Sequence, residues 1–183
     1  MIPRLETERL ILRGTTAADF DAFANILGDR DVMRHLGGEP LARNDAWRNV
    51  ATNLGHWHLR GYGAWCVERK SDGAVMGRVG LMNPEGWPAL EVGWTLGRPY
   101  WGHGYATEAA AASMAYGFHT QNVDKLISLI DPENRASQKV AARLGETKGK
   151  RHDLVIAGRS FPVDIWSITR AEWQERVGHD PIR

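Results

Sequence analysis

Apolar and polar residues along this chain follow patterns that switch between the period of a strand and that of a helix. The segment from Leu90 to Leu96 alternates apolar residues with polar or small ones, which predicts a strand with one face on a core. The segment from Asp45 to Leu59 places apolar side chains three or four residues apart, which predicts an amphipathic helix. An almost wholly apolar run from Lys125 to Ile130 predicts a central buried strand.

The remaining segments extend this reading to one α/β domain over residues 1–183. The predicted strands, about seven in number, cover residues 9–13, 64–69, 75–82, 89–96, 125–130, 147–156 and 161–168. The predicted helices cover residues 15–27, 31–36, 45–59, 104–119 and 134–144, with a short terminal helix around Trp173. This order of elements predicts a mixed α/β sandwich without repeats or linkers.

A glycine pair stands between the strand that ends at Leu96 and the following helix. Gly102 and Gly104 allow the backbone N–H groups of the loop to turn toward one point, and the helix N-terminus adds a partial positive charge. This arrangement predicts a phosphate or pyrophosphate site. The chain has no Gly-Lys-Ser/Thr triplet of a P-loop, and Thr107 stands where a dinucleotide fingerprint needs its third glycine.

The loop resembles the acyl-CoA loop of the GNAT acetyltransferases, Q/R-x-x-G-x-G/A, with Pro99 in place of Gln or Arg. The longer string from Tyr100 to Ala109 is similar to the RimJ/RimL-like branch, in which that departure is usual. Residues 6–13, and residues 131–137 followed by Leu144 and Gly145, also agree with this branch. The resemblance covers nearly the whole chain and implies the GNAT fold, a central, mostly antiparallel sheet of about seven strands flanked by helices.

The resemblance also implies an activity, the transfer of an acetyl group from acetyl-CoA to a primary amine. The acceptor would be a protein N-terminus or a small molecule, and the amine would attack directly in a ternary complex. The expected cofactor-binding residues end the strand, form the loop or open the helix after the buried strand. They are Trp94, Thr95, Leu96, Gly102, His103, Gly104, Tyr105, Ala106, Thr107, Asn134 and Ser137.

Two residues are the catalytic candidates. By the resemblance, Glu91 takes the proton of the ammonium through water, and Ser137 donates to the leaving thiolate. A structural ion pair remains the alternative for Glu91, and a bond to the carbonyl four residues earlier remains the alternative for Ser137. For the Trp94 side chain core packing is the favoured interpretation, and Asn134 is also a favoured helix N-cap.

Composition limits the other function classes. A formal net charge of +1 leaves no broad surface for nucleic acid or an anionic membrane, and no segment is typical of a signal peptide or a membrane span. The single cysteine, Cys66, and the spacing of His35, His56 and His58 fit no metal site, although these histidines could line an acceptor pocket. We therefore expect a cytoplasmic enzyme without a metal; a homodimer is compatible with the sequence.

Two alternatives stay open at this stage. A GNAT-fold protein could bind acyl-CoA as a sensor or scaffold without turnover, and the glycine loop alone is also compatible with a nucleotide-binding α/β module. The order of the three motifs along the chain favours the acetyltransferase.

Overall fold

The computed structural model describes residues 1–156 and 158–179. Its strands are β1 (Leu5–Glu6), β2 (Leu10–Arg13), β3 (Ala64–Arg69), β4 (Val75–Met82), β5 (Glu91–Leu96), β6 (Lys125–Ile130), β7 (Thr147–Ile156) and β8 (Arg159–Thr169). Its α-helices are α1 (Phe20–Leu27), α2 (Arg30–Met33), α3 (Arg43–Arg60), α4 (Tyr105–Thr120), α5 (Arg135–Leu144) and α6 (Arg170–His179). Single 3₁₀ turns cover Ala17–Asp19 and Arg98–Tyr100.

The strands form one sheet in the order β1-β2-β3-β4-β5-β6-β8-β7. Neighbouring strands are antiparallel except β5 and β6, which are parallel because α4 crosses over between them. The predicted mixed, mostly antiparallel sheet flanked by helices is confirmed, with eight strands instead of about seven. The additional strand is β1, whose two residues are too few to show an alternating pattern.

The main core lies between the sheet and α4. Val79, Leu81 and Val92 are fully buried with Met114 and Phe118 of that helix. Gly117 permits the close approach, because a Cβ there would lie 3.1 Å from the Leu81 side chain. The helix that follows the glycine loop is therefore held firmly on β4 and β5, which fixes the position of the loop at its N-terminal end.

The helix α3 is less buried than its apolar spacing predicts. Its stripe of Trp47, Val50, Leu54 and Trp57 is interrupted, with Trp57 buried but Trp47 60% and Leu54 38% exposed. The Trp57 ring packs against Trp65 of β3, with the centroids 4.9 Å apart, so that only the C-terminal part of α3 contributes to the main core. Among the described residues, no helix combines the length and apolarity needed to cross a membrane.

Candidate active site

The loop between β5 and α4 holds its two glycines in the left-handed region, with φ of 78° at Gly102 and 81° at Gly104. Gly104 is the N-cap of α4, and the first bond of the helix runs from the Glu108 N–H to the Gly104 carbonyl. The N–H groups of Tyr105, Ala106 and Thr107 therefore have no acceptor within the helix. These N–H groups point out of the N-terminal end of α4, and the partial positive charge of that end favours an anion.

A buried hydroxyl lies in the first turn of α4. The Oγ1 atom of Thr107 is inaccessible to solvent and has no hydrogen-bond partner among the described residues. A buried hydroxyl without a partner costs free energy unless a ligand or a water completes it. An oxygen of an anion bound at the helix terminus would satisfy it, so this residue fits a phosphate group at the loop.

Arg9 of the N-terminal segment contacts the glycine loop and holds it in place. Arg9 donates from its Nη1 to the carbonyl of His103 at 3.0 Å and from its Nε to Glu108 at 2.6 Å, and its guanidinium lies over the Tyr105 ring. Thr7 donates its hydroxyl to the same carboxylate at 2.5 Å. Two of the sequence motifs thus meet in the structure, although their separate positions in the chain gave no sign of this contact. The His103 ring itself is exposed and leans on Tyr105.

The strands β5 and β6 are paired at a single position, which is the start of β5. Glu91 lies opposite Ile127, and the Ile127 N–H donates to the carbonyl of Leu90 at 3.0 Å. In contrast, β4 pairs with β5 along its whole length, from Met82 opposite Glu91 to Gly77 opposite Leu96. The two parallel strands therefore separate after Glu91 and leave a cleft whose β5 edge leads to the glycine loop.

The backbone of β5 alternates between the two edges of the strand. The carbonyls of Val92 and Leu96 face away from β4, since they accept from Ser128 of β6 and from the Trp101 indole respectively. By this alternation the N–H and C=O of Trp94 point into the cleft. By the same alternation the backbone of Thr95, which lies opposite Arg78 of β4, faces β4 instead, as does the Gly97 N–H, which donates to the Met76 carbonyl.

The side chains of Trp94 and Ser137 meet across the cleft. The indole N–H of Trp94 donates to the Ser137 hydroxyl oxygen at 3.1 Å, while the rest of the ring packs on the main core. Ser137 Oγ is the acceptor in this bond, so its own proton remains available to another acceptor. Asn134 caps α5, its Oδ1 accepting from the Ser137 N–H at 3.1 Å, as predicted for this residue type.

Glu91 is the carboxylate at the inner end of the cleft. One of its oxygens accepts from the Trp87 indole N–H at 2.5 Å and the other from the Leu129 N–H at 3.4 Å. Burial raises the pKa of this carboxyl group, against the opposing effects of these two donors and of the Arg78 charge. Burial in turn lowers the pKa of Arg78 to about 10, and its Nη1 donates to Asn49 of α3.

One polar contact near the cleft was not predicted. Ser128 of β6 bonds to Glu146, which follows α5, at 2.9 Å, and both residues are buried. Such contacts join residues far apart in sequence, and Ser128 lies inside an otherwise apolar run. The fold could be predicted from that run, but the role of its one hydroxyl could not.

His35 of the predicted acceptor pocket lies beside the end of β6. Its Nδ1 is 2.8 Å from Asp131 Oδ2, the residue after Ile130, so the N-terminal helices reach the open end of the cleft. Within residues 1–156 and 158–179, no cluster of three or more His, Cys, Asp or Glu side chains could hold a metal ion.

Comparison with known proteins gives the same picture as the fold. Residues 9–147 match the family model of the acetyltransferase (GNAT) domain. The Bacillus subtilis protein YkkB is 34% identical over 151 residues, which are 78% of this chain and 84% of YkkB. The N-acetyltransferase p20 of Bacillus licheniformis is 29% identical over 92% of this chain and 97% of its own length.

Solved structures agree with these relatives. The crystal structure of an acetyltransferase from Agrobacterium tumefaciens superposes with a TM-score of 0.80 at 32% identity, covering 93% of this chain and 96% of that protein. The chain belongs to the GNAT family of acetyltransferases.

Proposed function

We propose that this protein transfers an acetyl group from acetyl-CoA to a primary amine, which attacks directly in a ternary complex. The observation that carries the proposal is the separation of β5 from β6 after Glu91. It leaves a free strand edge at Trp94, a carboxylate at the inner end and an anion-binding loop at the outer end. A long ligand with a phosphate at one end and a reactive group at the other fits this arrangement.

The residues of the cleft suit acetyl-CoA, which supplies an acetyl group activated as a thioester. The N–H groups of the loop from Gly102 to Thr107 would hold the pyrophosphate, and the free hydroxyl of Thr107 would complete it. The cleft-facing backbone of Trp94 would pair with the pantetheine amides as an added strand does. Its N–H is also suited to polarise a carbonyl oxygen placed beside it.

Proton transfer is assigned to two side chains. Glu91 would accept the proton of the ammonium through water, and its buried position keeps its pKa above that of an exposed carboxylate. Ser137 would donate its free hydroxyl proton toward the leaving sulfur. Cys66 is poorly suited to carry an acyl group, because it is fully buried in β3 and burial raises the pKa of its thiol to about 12.

The finer family assignment is part of the same proposal. We place the chain in the RimJ/RimL-like branch, on the three motifs that it shares with that branch. The contact of Thr7 and Arg9 with Glu108 supports this assignment, since it gives the N-terminal motif a physical role in holding the cofactor loop. The acceptor is a protein N-terminal amine or a small amine that approaches from the side of His35 and Asp131.

The test is an assay of thiol release from acetyl-CoA with a panel of N-terminal peptides and small amines. We expect acetyl-CoA to bind and at least one class of amine to release CoA, with the acetylated product identified by mass. Binding of acetyl-CoA without turnover over the panel would instead support a non-catalytic sensor. Protection from heat by ATP or NAD but not by CoA would support a nucleotide-binding module.

A further inference from the structure

Two carboxyl groups lie close to the point where β5 and β6 separate. Glu91 takes part in the last register pair of these strands, and Glu146 reaches from the end of α5 to Ser128 of β6. Glu146 is only 4% exposed, and its Oε2 is buried without a partner among the described residues. The two groups are near enough for the charge of Glu91 to act on Glu146.

The hydroxyl of Ser128 links the Val92 carbonyl to Glu146. Its Oγ lies 2.8 Å from the Val92 carbonyl and 2.9 Å from Glu146 Oε1. The hydroxyl has a single proton, so it can donate to only one of these two oxygens, and the carbonyl can only accept. Both contacts are hydrogen bonds at the same time only if the carboxyl group of Glu146 carries a proton and donates it to Ser128.

The surroundings of Glu91 differ from those of Glu146. The Trp87 indole N–H and the Leu129 backbone N–H can only donate, and each points at one oxygen of Glu91. Burial raises the pKa of Glu91, but these two donors and the positive charge of Arg78 on the neighbouring strand oppose that shift. Within the described part of the chain, the carboxyl group of Glu146 has no such donors or cation, and its only partner is the Ser128 hydroxyl.

We infer that Glu146 is a neutral carboxylic acid that donates to Ser128 and acts as a positioning residue for the acetyl transfer. It completes the bridge to the Val92 carbonyl at the start of the cleft, and it leaves Glu91 as the ionised carboxyl group there. The inference deepens the proposed function and rests on it for the role of Glu91. The charged groups that act on the pair are Glu91 itself and, through it, Arg78.

The electrostatics agree with this geometry. Burial raises the pKa of Glu146 to about 8; the contact with Ser128 acts against this shift, and the negative charge of Glu91 adds to it. Ionisation of Glu146 would place a second negative charge beside Glu91 and would remove the donor to Ser128. The bridge from Glu146 through Ser128 to Val92 therefore exists only below the pKa of Glu146.

The test follows the side-chain carboxyl carbons of the glutamates by NMR while the folded protein is titrated without cofactor or acceptor. We expect one carboxyl resonance with its midpoint near pH 8, which disappears in Glu146→Gln. The matched control, Glu85→Gln, removes a fully exposed carboxyl group and should leave the resonance with its midpoint near pH 8 in place. A midpoint of Glu146 near 4.5 would overturn the inference.

Further variants and a second readout complete the test. If Glu146→Gln does not fold, Ser128→Ala assigns the resonance by shifting its midpoint while the number of carboxyl groups stays constant. In the enzyme assay, ionisation of Glu146 breaks the bridge, so wild-type kcat should change above about pH 8. This change should be absent from Glu146→Gln, and its persistence there would contradict the role proposed for Glu146. Failure to find an acceptor would affect the proposed function alone, because the titration needs neither substrate.

Discussion

The indole N–H of Trp94 donates to the hydroxyl of Ser137 at 3.1 Å and so joins β5 to α5 where the sheet itself is open. The two residues are 43 positions apart in the chain. This bond gives the serine a fixed orientation in which its oxygen faces β5 and its proton is free. The alternative bond to the carbonyl of residue 133, which sequence reasoning left open for Ser137, is not the bond that its oxygen makes here.

Ser137→Ala should lower kcat by about tenfold, which corresponds to the loss of about 1.4 kcal/mol of interaction with the leaving thiolate. The loss is modest because a thiolate with a pKa near 8.5 leaves without full protonation. The loss of kcat should be larger with an acyl donor whose thiol is a poorer leaving group. The KM for acetyl-CoA should change little. Ser71→Ala, in the exposed β3–β4 turn, is the matched control. Full activity of Ser137→Ala at neutral pH would remove the serine from the mechanism.

Gly104→Val should abolish CoA binding while the protein stays folded. A β-branched residue strains the left-handed conformation at φ 81° and places its methyl groups where the ligand approaches the backbone. Gly61→Val is a matched control, because Gly61 has a φ of 76° at the end of α3 and open space around it. Calorimetry with CoA should show wild-type affinity for the control and none for Gly104→Val. Equal loss in both variants would indicate general strain instead of a ligand contact.

Much of the fold could be predicted from local pattern. The bounds of β3, β4 and β6 agree with the predicted strands, since each has a continuous apolar or alternating run between clear turn residues. The start of α5 at the capping residue Asn134 could be predicted for the same reason. These features depend only on neighbours within a few positions.

The features that could not be predicted all depend on contacts between distant segments. The separation of β5 from β6 cannot be read from Glu91 or Ile127, because each residue is typical of a fully paired strand. Glu146 looks like an ordinary residue after a helix stop until Ser128 is placed beside it. The contact of Arg9 with Glu108 could not be predicted either, because the two residues are 99 positions apart in the chain.

The cofactor should stabilise the fold in proportion to the part of the cleft that it fills. A ligand that binds only the native state adds about 2.7 kcal/mol at a hundredfold excess over its dissociation constant. We expect CoA and acetyl-CoA to raise Tm clearly and ADP to raise it less, since ADP reaches the loop but not the free edge at Trp94. Thermal melts at matched ligand concentrations check this. Equal increases in Tm with ADP and CoA would mean that the free strand edge at Trp94 does not contribute to binding.

Glu108→Gln should destabilise the protein by about 1–2 kcal/mol at pH 7, because it removes the charge that Arg9 and Thr7 bind. Partial burial opposes ionisation of Glu108, but these donors outweigh it and hold its pKa below the ordinary value. The stabilisation is therefore complete above the unfolded pKa near 4.5 and is lost as the pH falls through the lower folded value. Urea unfolding at pH 7 and pH 3 should show a smaller difference from wild type at pH 3 than at pH 7, with the exposed Glu85→Gln unchanged at both. A difference of the same size at both pH values would mean that packing, not charge, is lost.

Glu91→Gln should reduce kcat by about 10²–10⁴, the range for loss of a general base. The affinity for acetyl-CoA should change little, because the carboxylate acts on the amine. Because burial raises the pKa of Glu91, the acid limb of the wild-type pH–rate profile should lie above the value of an exposed glutamate, and the variant should lack that limb.

The control for this last substitution is Glu133→Gln, an exposed carboxylate just before the capping residue of α5. It should leave both kcat and the acid limb unchanged. A purely structural Glu91 would give a different outcome, since loss of the charge opposite Trp87, Leu129 and Arg78 would lower Tm while turnover per folded molecule stayed constant. Measuring kcat against the folded fraction separates these cases, and full kcat in folded Glu91→Gln at neutral pH would assign the proton to another acceptor.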